Sequence, residues 1–161
     1  MKSFTAIDFE TAHGKRWSIC QIGLVRVKNG IITQKLSGLI QPPDNYYRDK
    51  FSNIHGITSE QTADAQAFDE IWEQIGVFIR FQHIVAHNGF AFNFPCLRQT
   101  LKYYNLAFFP FVGHCTHRIF GNDLASLCKQ YNIPFNHHDA LSNAMACAEL
   151  FLIHLKNKER L

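Results

Sequence analysis

The sequence predicts an α/β domain, a mixed β-sheet flanked by α-helices, on three observations. Its opening portion reads as three strand-like segments separated by short turns. Short apolar runs then alternate with segments of helical periodicity. A long amphipathic stretch comes last.

The first strand is the apolar run Phe4 to Phe9, with Asp8 and Glu10 at its end. Thr11 to Arg16 is a polar turn containing Gly14, and Ser18 to Val27 reads as the second strand. Lys28-Asn29-Gly30 supplies a tight hairpin turn into a third strand, Ile31 to Ile40, which Pro42-Pro43 ends. These three form an antiparallel meander. Asp44 to Thr58 has aromatics but little periodicity and reads as a loop with room for a short helical turn.

Ser59 or Thr62 is positioned to cap the next helix. Its apolar residues Phe68, Ile71, Trp72, Ile75, Phe78 and Ile79 recur at three- and four-residue spacing. His83 to Ala86 is a short buried strand. Asn93 to Tyr104 is helical, with Pro95 in the first turn and Leu97, Leu101 and Tyr104 inward. Phe111 to Cys115 is another strand, and Leu124 to Tyr131 a short helix. Asp139 to Leu155 is the last helix, burying Leu141, Ala144, Ala148, Phe151 and Leu155. Lys156, Lys158 and Arg160 follow where cations suit the helix dipole.

The chain has 161 residues and 47% apolar content, enough for one domain with a real core, and no linker or repeat divides residues 1–161. A formal net charge of +3 is compatible with a polyanionic partner without demonstrating one. Five scattered cysteines form no C-x-x-C, so neither a zinc site nor a disulfide framework is indicated. Asp8 and Glu10 interrupt the first apolar run, which excludes a signal-peptide core, and no run approaches a membrane span. The expectation is a cytoplasmic protein without membrane partners. No Walker sequence or early Gly-rich nucleotide loop is present.

Ile7-Asp8-Phe9-Glu10-Thr11 carries the chemistry. Side chains alternate along a strand, so Asp8 and Glu10 share a face, and two carboxylates that close repel unless a cation or proton intervenes. Carboxylates are the ligands magnesium and manganese prefer. For an isolated D-x-E, the plainer alternative is a solvated strand end beside a turn cap.

Further motifs give the pair its support. Ile54-His55-Gly56-Ile57-Thr58, Ala86-His87-Asn88-Gly89-Phe90-Ala91-Phe92-Asn93 and His138-Asp139-Ala140-Leu141-Ser142-Asn143-Ala144 follow in that order. With the D-x-E strand they resemble the DEDDh group of 3′-to-5′ exonucleases, a proofreading-exonuclease-like family with a ribonuclease H-like fold. The resemblance covers essentially the whole chain and implies a single exonuclease domain. An unrelated α/β structural protein would need all four motifs to coincide by chance.

That resemblance implies a two-ion Mg²⁺ or Mn²⁺ centre held by Asp8, Glu10 and the acids at positions 93 and 143. In such a centre one ion lowers the pKa of the attacking water and the other stabilises the leaving oxygen. It implies His138 as general base and a single-stranded 3′ end of DNA or RNA as substrate. Phe9, Thr11, His55, His87 and Asn88 would lie at that substrate, with Phe9 and Phe51 to His55 either near the terminal bases or in the core, and His87 and Asn88 supporting the site or orienting the loop that carries Asn93. Lys15 and Arg16, on the loop after Glu10, are either phosphate contacts or solvated cations, and His137 is a solvated rival to His138.

The chain departs from the pattern at two acids. Both remaining aspartates are amides, Asn93 and Asn143. An amide oxygen can ligate a cation but brings no charge, so the expectation is a retained fold with some single-metal affinity, a sharply weakened second ion and little or no cleavage. Two origins stay open: a form disabled by substitution, and a non-cleaving nucleic-acid-binding module of a larger replication, repair or processing complex.

Overall fold

The computed structural model describes residues 2–159. Five strands form one mixed sheet: β1 (Phe4–Thr11), β2 (Ile19–Lys28), β3 (Ile31–Leu39), β4 (His83–Ala86) and β5 (Val112–Cys115), in spatial order β3-β2-β1-β4-β5. The opening meander is antiparallel, as its tight turn dictates, with Asn29 and Gly30 both at positive φ. β4 adds parallel to β1, and β5 parallel to β4, through connections that contain helices. β1 is therefore central and covered on both faces, which is why it reads as a nearly continuous apolar run.

Alternation along β1 sorts its residues between two cores. Ile7 and Phe9 pack with Ile22 and Leu24 beneath α3 (Phe68–Gly76) and α4 (Asn93–Tyr103), a layer that includes Trp72, Ile75, Phe94 and Leu97. Phe4 and Ala6 face the other way, onto Ala144, Ala148 and Phe151 of α7 (Ala140–Lys158). Asp8 and Glu10 continue that second face beyond the apolar residues, so the two carboxylates emerge beside the start of α7.

Gly23 sets how close α7 comes. It pairs with Asp8 across the β1–β2 ladder, and a Cβ there would overlap the Ala140 carbonyl. The missing side chain lets the first turn of α7 settle against the strand pair, with Asp139 capping that turn by accepting from the Ser142 N–H at 3.0 Å.

Several local expectations need correction. Residues 44–58 are more ordered than a loop: a 3₁₀ turn (Pro43–Asn45) precedes α1 (Asp49–His55), and α2 (Ser59–Thr62) follows. Their helices are too short to show periodicity. Thr58 heads α2 in a capping box with Gln61, while Ala67 precedes α3 and its N–H donates to Glu70. So neither Ser59 nor Thr62 caps α3. The α3 helix ends at Gly76, yet Phe78 and Ile79 stay buried in the following turn, which preserved the helical spacing. α5 (Thr116–Phe120) was not anticipated; α6 (Leu124–Tyr131) was. α7 runs on to Lys158, so Lys156 and Lys158 occupy its last turn, while Arg160 lies outside the described residues. All five cysteines are buried thiols. Among the described residues, no helix is long and apolar enough to cross a membrane.

Candidate active site

The carboxyl ends of the parallel strands β1, β4 and β5 converge on one cleft of about 440 Å³. Ligand sites in open α/β sheets form at such strand ends, because the loops leaving them splay apart. β1 contributes Asp8 and Glu10, the loop after β4 contributes His87 and Asn88, and α5 after β5 contributes His117. α4 and α7 bring Asn93 and Asn143 from opposite sides.

Asp8 is the hub. Asn93 Nδ2 donates to its Oδ1 at 3.1 Å, and Asn143 Nδ2 donates to its Oδ2 at 2.9 Å. Asn93 is committed at both ends. Its Nδ2 also donates to the His87 carbonyl at 3.2 Å, and its Oδ1 accepts the Phe9 N–H at 3.2 Å. Only an amide satisfies that set, since an aspartate would face two acceptors with nothing to donate. Asn143 is less settled: its Oδ1 is buried with no hydrogen-bond partner among the described residues.

Burial dominates the charge state. It pushes Asp8 up to about 7 despite the amide N–H groups, which favour the charged form. Glu10 is pushed up to about 8, by burial first and then by Asp8 and Asp139. His87 is pushed down to about 4 by burial and by His117, while its Nδ1 lies 3.0 Å from the Thr116 hydroxyl. His87 is a neutral ring held in place.

The oxygens do not fit a two-ion centre. Each Asp8 oxygen accepts one N–H and Asn93 Oδ1 accepts the Phe9 N–H, so the two amides turn donors toward Asp8 where a two-ion centre needs anionic oxygens, and Asp8 and Glu10 are left as the only acids among these four positions. A hard divalent cation seeks about six oxygens with negative charge among them. Among the described residues, no three His, Cys, Asp or Glu side chains are grouped to hold a metal.

The structure brings Asp8, Glu10, His87, Asn88, Asn93 and Asn143 to the cleft. Phe9 adjoins it, its N–H donating to Asn93 Oδ1. Strand alternation sends the Phe9 ring into the core at 1% exposure, so it cannot stack on a base. Thr11 and His55 bind each other instead of the cleft, His55 Nε2 lying 3.1 Å from the Thr11 carbonyl oxygen and tying α1 to the end of β1. His138, at positive φ, does not line the cleft and is close enough to His55 to feel its charge; its exposed neighbour His137 takes the cleft side. Their rings lie 4.0 Å apart. Arg16 is spent on the Ala91 carbonyl across the rim.

Sequence reasoning missed His117, Asp123 and Phe135 as cleft residues. Asp123 had a readable signal, since it directly precedes the apolar Leu124 and caps α6, accepting from the Ser126 N–H at 2.9 Å. His117 could have been found by its place after a parallel strand. Phe135 carried no such signal.

The chain matches the family model RNase_T, described as Exonuclease, over residues 5–151. It is 30% identical over 167 residues to the DNA polymerase III PolC-type of Thermotoga maritima, covering 93% of this chain and 12% of that protein. It is 26% identical over 163 residues to the DNA polymerase III PolC-type of Clostridium perfringens, covering 95% and 11%. The chain thus spans only a small part of these curated relatives. Among solved structures, exonuclease X in complex with 5′-overhanging duplex DNA matches at TM-score 0.74 and 23% identity, covering 97% of this chain and 93% of that one. E. coli exonuclease I with a dA16 oligonucleotide matches at TM-score 0.82 and 16% identity, covering 99% and 42%. At these identities the structural likeness is one of fold.

Proposed function

The chain belongs to the exonuclease family, and from that premise we propose that it is a 3′-to-5′ exonuclease domain for single-stranded 3′ ends of DNA or RNA, held in a non-cleaving form by Asn93 and Asn143. One observation carries the reading: each oxygen of Asp8 accepts an N–H from one of these two amides, at 3.1 and 2.9 Å. In the active pattern those positions are acids that hold divalent metal, Mg²⁺ or Mn²⁺, which supplies an activated water and charge neutralisation. Here amide N–H groups take the cations' place against Asp8. No hydrolytic step follows from the residues present. They can instead form a closed, metal-poor pocket floor over which a 3′ end can lie.

His87 and Asn88 shape the cleft wall, and Asn88 at positive φ turns the loop so that its carbonyl receives the Ala91 and Phe92 N–H groups. His138 stands just behind the cleft as candidate general base, its ring 4.0 Å from that of the cleft-lining His137. We assign residues 1–161 to one exonuclease domain working in the cytoplasm, where buried thiols persist.

A second reading, a binding module of a larger replication, repair or processing assembly, is favoured by how completely Asn93 is satisfied as an amide. The PolC-type relatives, of which the chain spans 12%, support such a setting. An exonuclease assay on 3′-tailed DNA and RNA with Mg²⁺ or Mn²⁺ separates the two. Cleavage by the Asn93→Asp/Asn143→Asp double variant and none by the native chain supports the disabled enzyme. Binding without cleavage by both supports the module.

A further inference from the structure

A second concavity lies outside the carboxylate cleft and shares none of its lining residues. It is an open groove of about 790 Å³ between the loop after β1 and the segment before α1. His13, Lys15 and Trp17 line one side, and Asp44, Tyr46 and Arg48 the other.

Both walls are built in advance. Trp17 stacks on Tyr103 with ring centroids 4.6 Å apart and 17° between planes, and its edge meets His13 at 5.1 Å. On the facing wall, the Arg48 N–H donates to the Ala12 carbonyl at 3.0 Å. Asn45 Nδ2 donates to the Ser59 carbonyl at 2.8 Å, and the Thr62 hydroxyl donates to Asn45 Oδ1 at 2.7 Å. These bonds fix the backbone on either side of Tyr46, a residue 53% exposed whose ring lies 5.5 Å from that of His13 at 49° between planes, leaving its other face open. Preformed walls lower the entropic cost of capturing a ligand.

The chemistry of the lining is specific. Two exposed cations, Lys15 and Arg48, flank the aromatic surface against one carboxylate, Asp44. Burial depresses the proton affinity of the His13 ring, and the charges of Arg48 and Lys15 add to it. Exposed aromatic surface beside paired cations suits a base with its phosphate, because stacking and phosphate attraction add without sequence preference. The loop that carries His13, Lys15 and Trp17 begins directly after Thr11, and Arg16 in the same loop is tethered to Ala91 at the cleft rim. The cleft's Glu10 and the groove's His13 therefore stand close together along one stretch of chain.

We propose that this groove is a second nucleic-acid contact, holding one nucleotide of a strand whose end occupies the carboxylate cleft, or of its complement, with Tyr46 against the base and Lys15 and Arg48 at the phosphates. The inference rests on the nucleic-acid reading of the cleft.

Binding of labelled DNA by fluorescence anisotropy in EDTA, with the full chain, tests it. A single-stranded tetranucleotide, a single-stranded octanucleotide and a duplex with a four-nucleotide 3′ tail serve as probes. Tyr46→Ala should weaken binding about tenfold for a probe that reaches the groove and leave the tetranucleotide unchanged. Tyr46→Phe should retain affinity, and Arg48→Gln should reduce the salt slope by about 0.7 for a single strand. Loss with the octanucleotide assigns the groove to the held strand, and loss with the duplex alone assigns it to the complement. Equal affinity of native and Tyr46→Ala chains for both longer probes, at unchanged melting temperature, overturns the groove. Failure of the native chain to bind any probe overturns the cleft reading as well.

Discussion

Asn143 Nδ2 donates to Asp8 Oδ2 at 2.9 Å, while the Oδ1 of the same amide is buried without a partner. The half of Asn143 that donates to Asp8 is satisfied, and the half that could meet a cation is not. An acid at this position would present two oxygens to Asp8 and no donor.

Asn143→Asp should therefore destabilise the metal-free chain by about 1–3 kcal/mol at pH 8, the range for turning a buried donor into an unmatched acceptor. Chemical denaturation in EDTA measures it. Addition of Mn²⁺ should recover much of the loss, and a variant as stable as the native chain in EDTA would contradict the role given to the amide.

Glu10 makes a prediction with a definite sign. Its pKa is raised from 4.5 to about 8, so the folded chain binds more protons than the unfolded one across that window. This contribution to stability is complete below pH 4.5 and is lost as pH rises through 8. Glu10→Gln should match the native chain near pH 4.5 and exceed it by on the order of 2 kcal/mol at pH 8, allowing for partial solvent contact. Depressed histidines act oppositely below their ordinary value, and taking the native-minus-variant difference removes them. Parallel pH profiles would rule out a raised Glu10.

Gly23→Ala tests the approach of α7. The added methyl meets the Ala140 carbonyl and backbone, which cannot rotate away. Overpacking of this kind costs about 1–3 kcal/mol, and here it also lifts Asn143 from Asp8. The expected result is a lower melting temperature together with a Glu10 titration shifted toward its ordinary value. Loss of neither would show that α7 accommodates the methyl.

Much of this arrangement is legible in the chain. The D-x-E spacing places Asp8 and Glu10 on one strand face, and Asn93 and Asn143 fall at the cleft because each sits in the first turns of a helix that enters it. The three-stranded meander follows from its Asn-Gly turn and apolar runs. What stayed hidden has physical causes. α1 and α2 are one or two turns long and held by capping and tertiary bonds, which leave no periodic trace. The fate of Phe9 was implicit in alternation, since a residue between two acids on a strand must point away from both. The His137–His138 choice depends on the positive φ at His138, a loop property that no motif spacing encodes. Gly23 is silent in sequence because the atom it must avoid lies in a helix more than a hundred residues away.

The central claim is that amide N–H groups occupy the places of divalent cations at Asp8. Counting Mn²⁺ by electron paramagnetic resonance, in the native chain and in Asn93→Asp/Asn143→Asp, measures this directly. The account predicts no tightly bound ion in the native chain and two in the double variant. Any tightly bound ion in the native chain would contradict it.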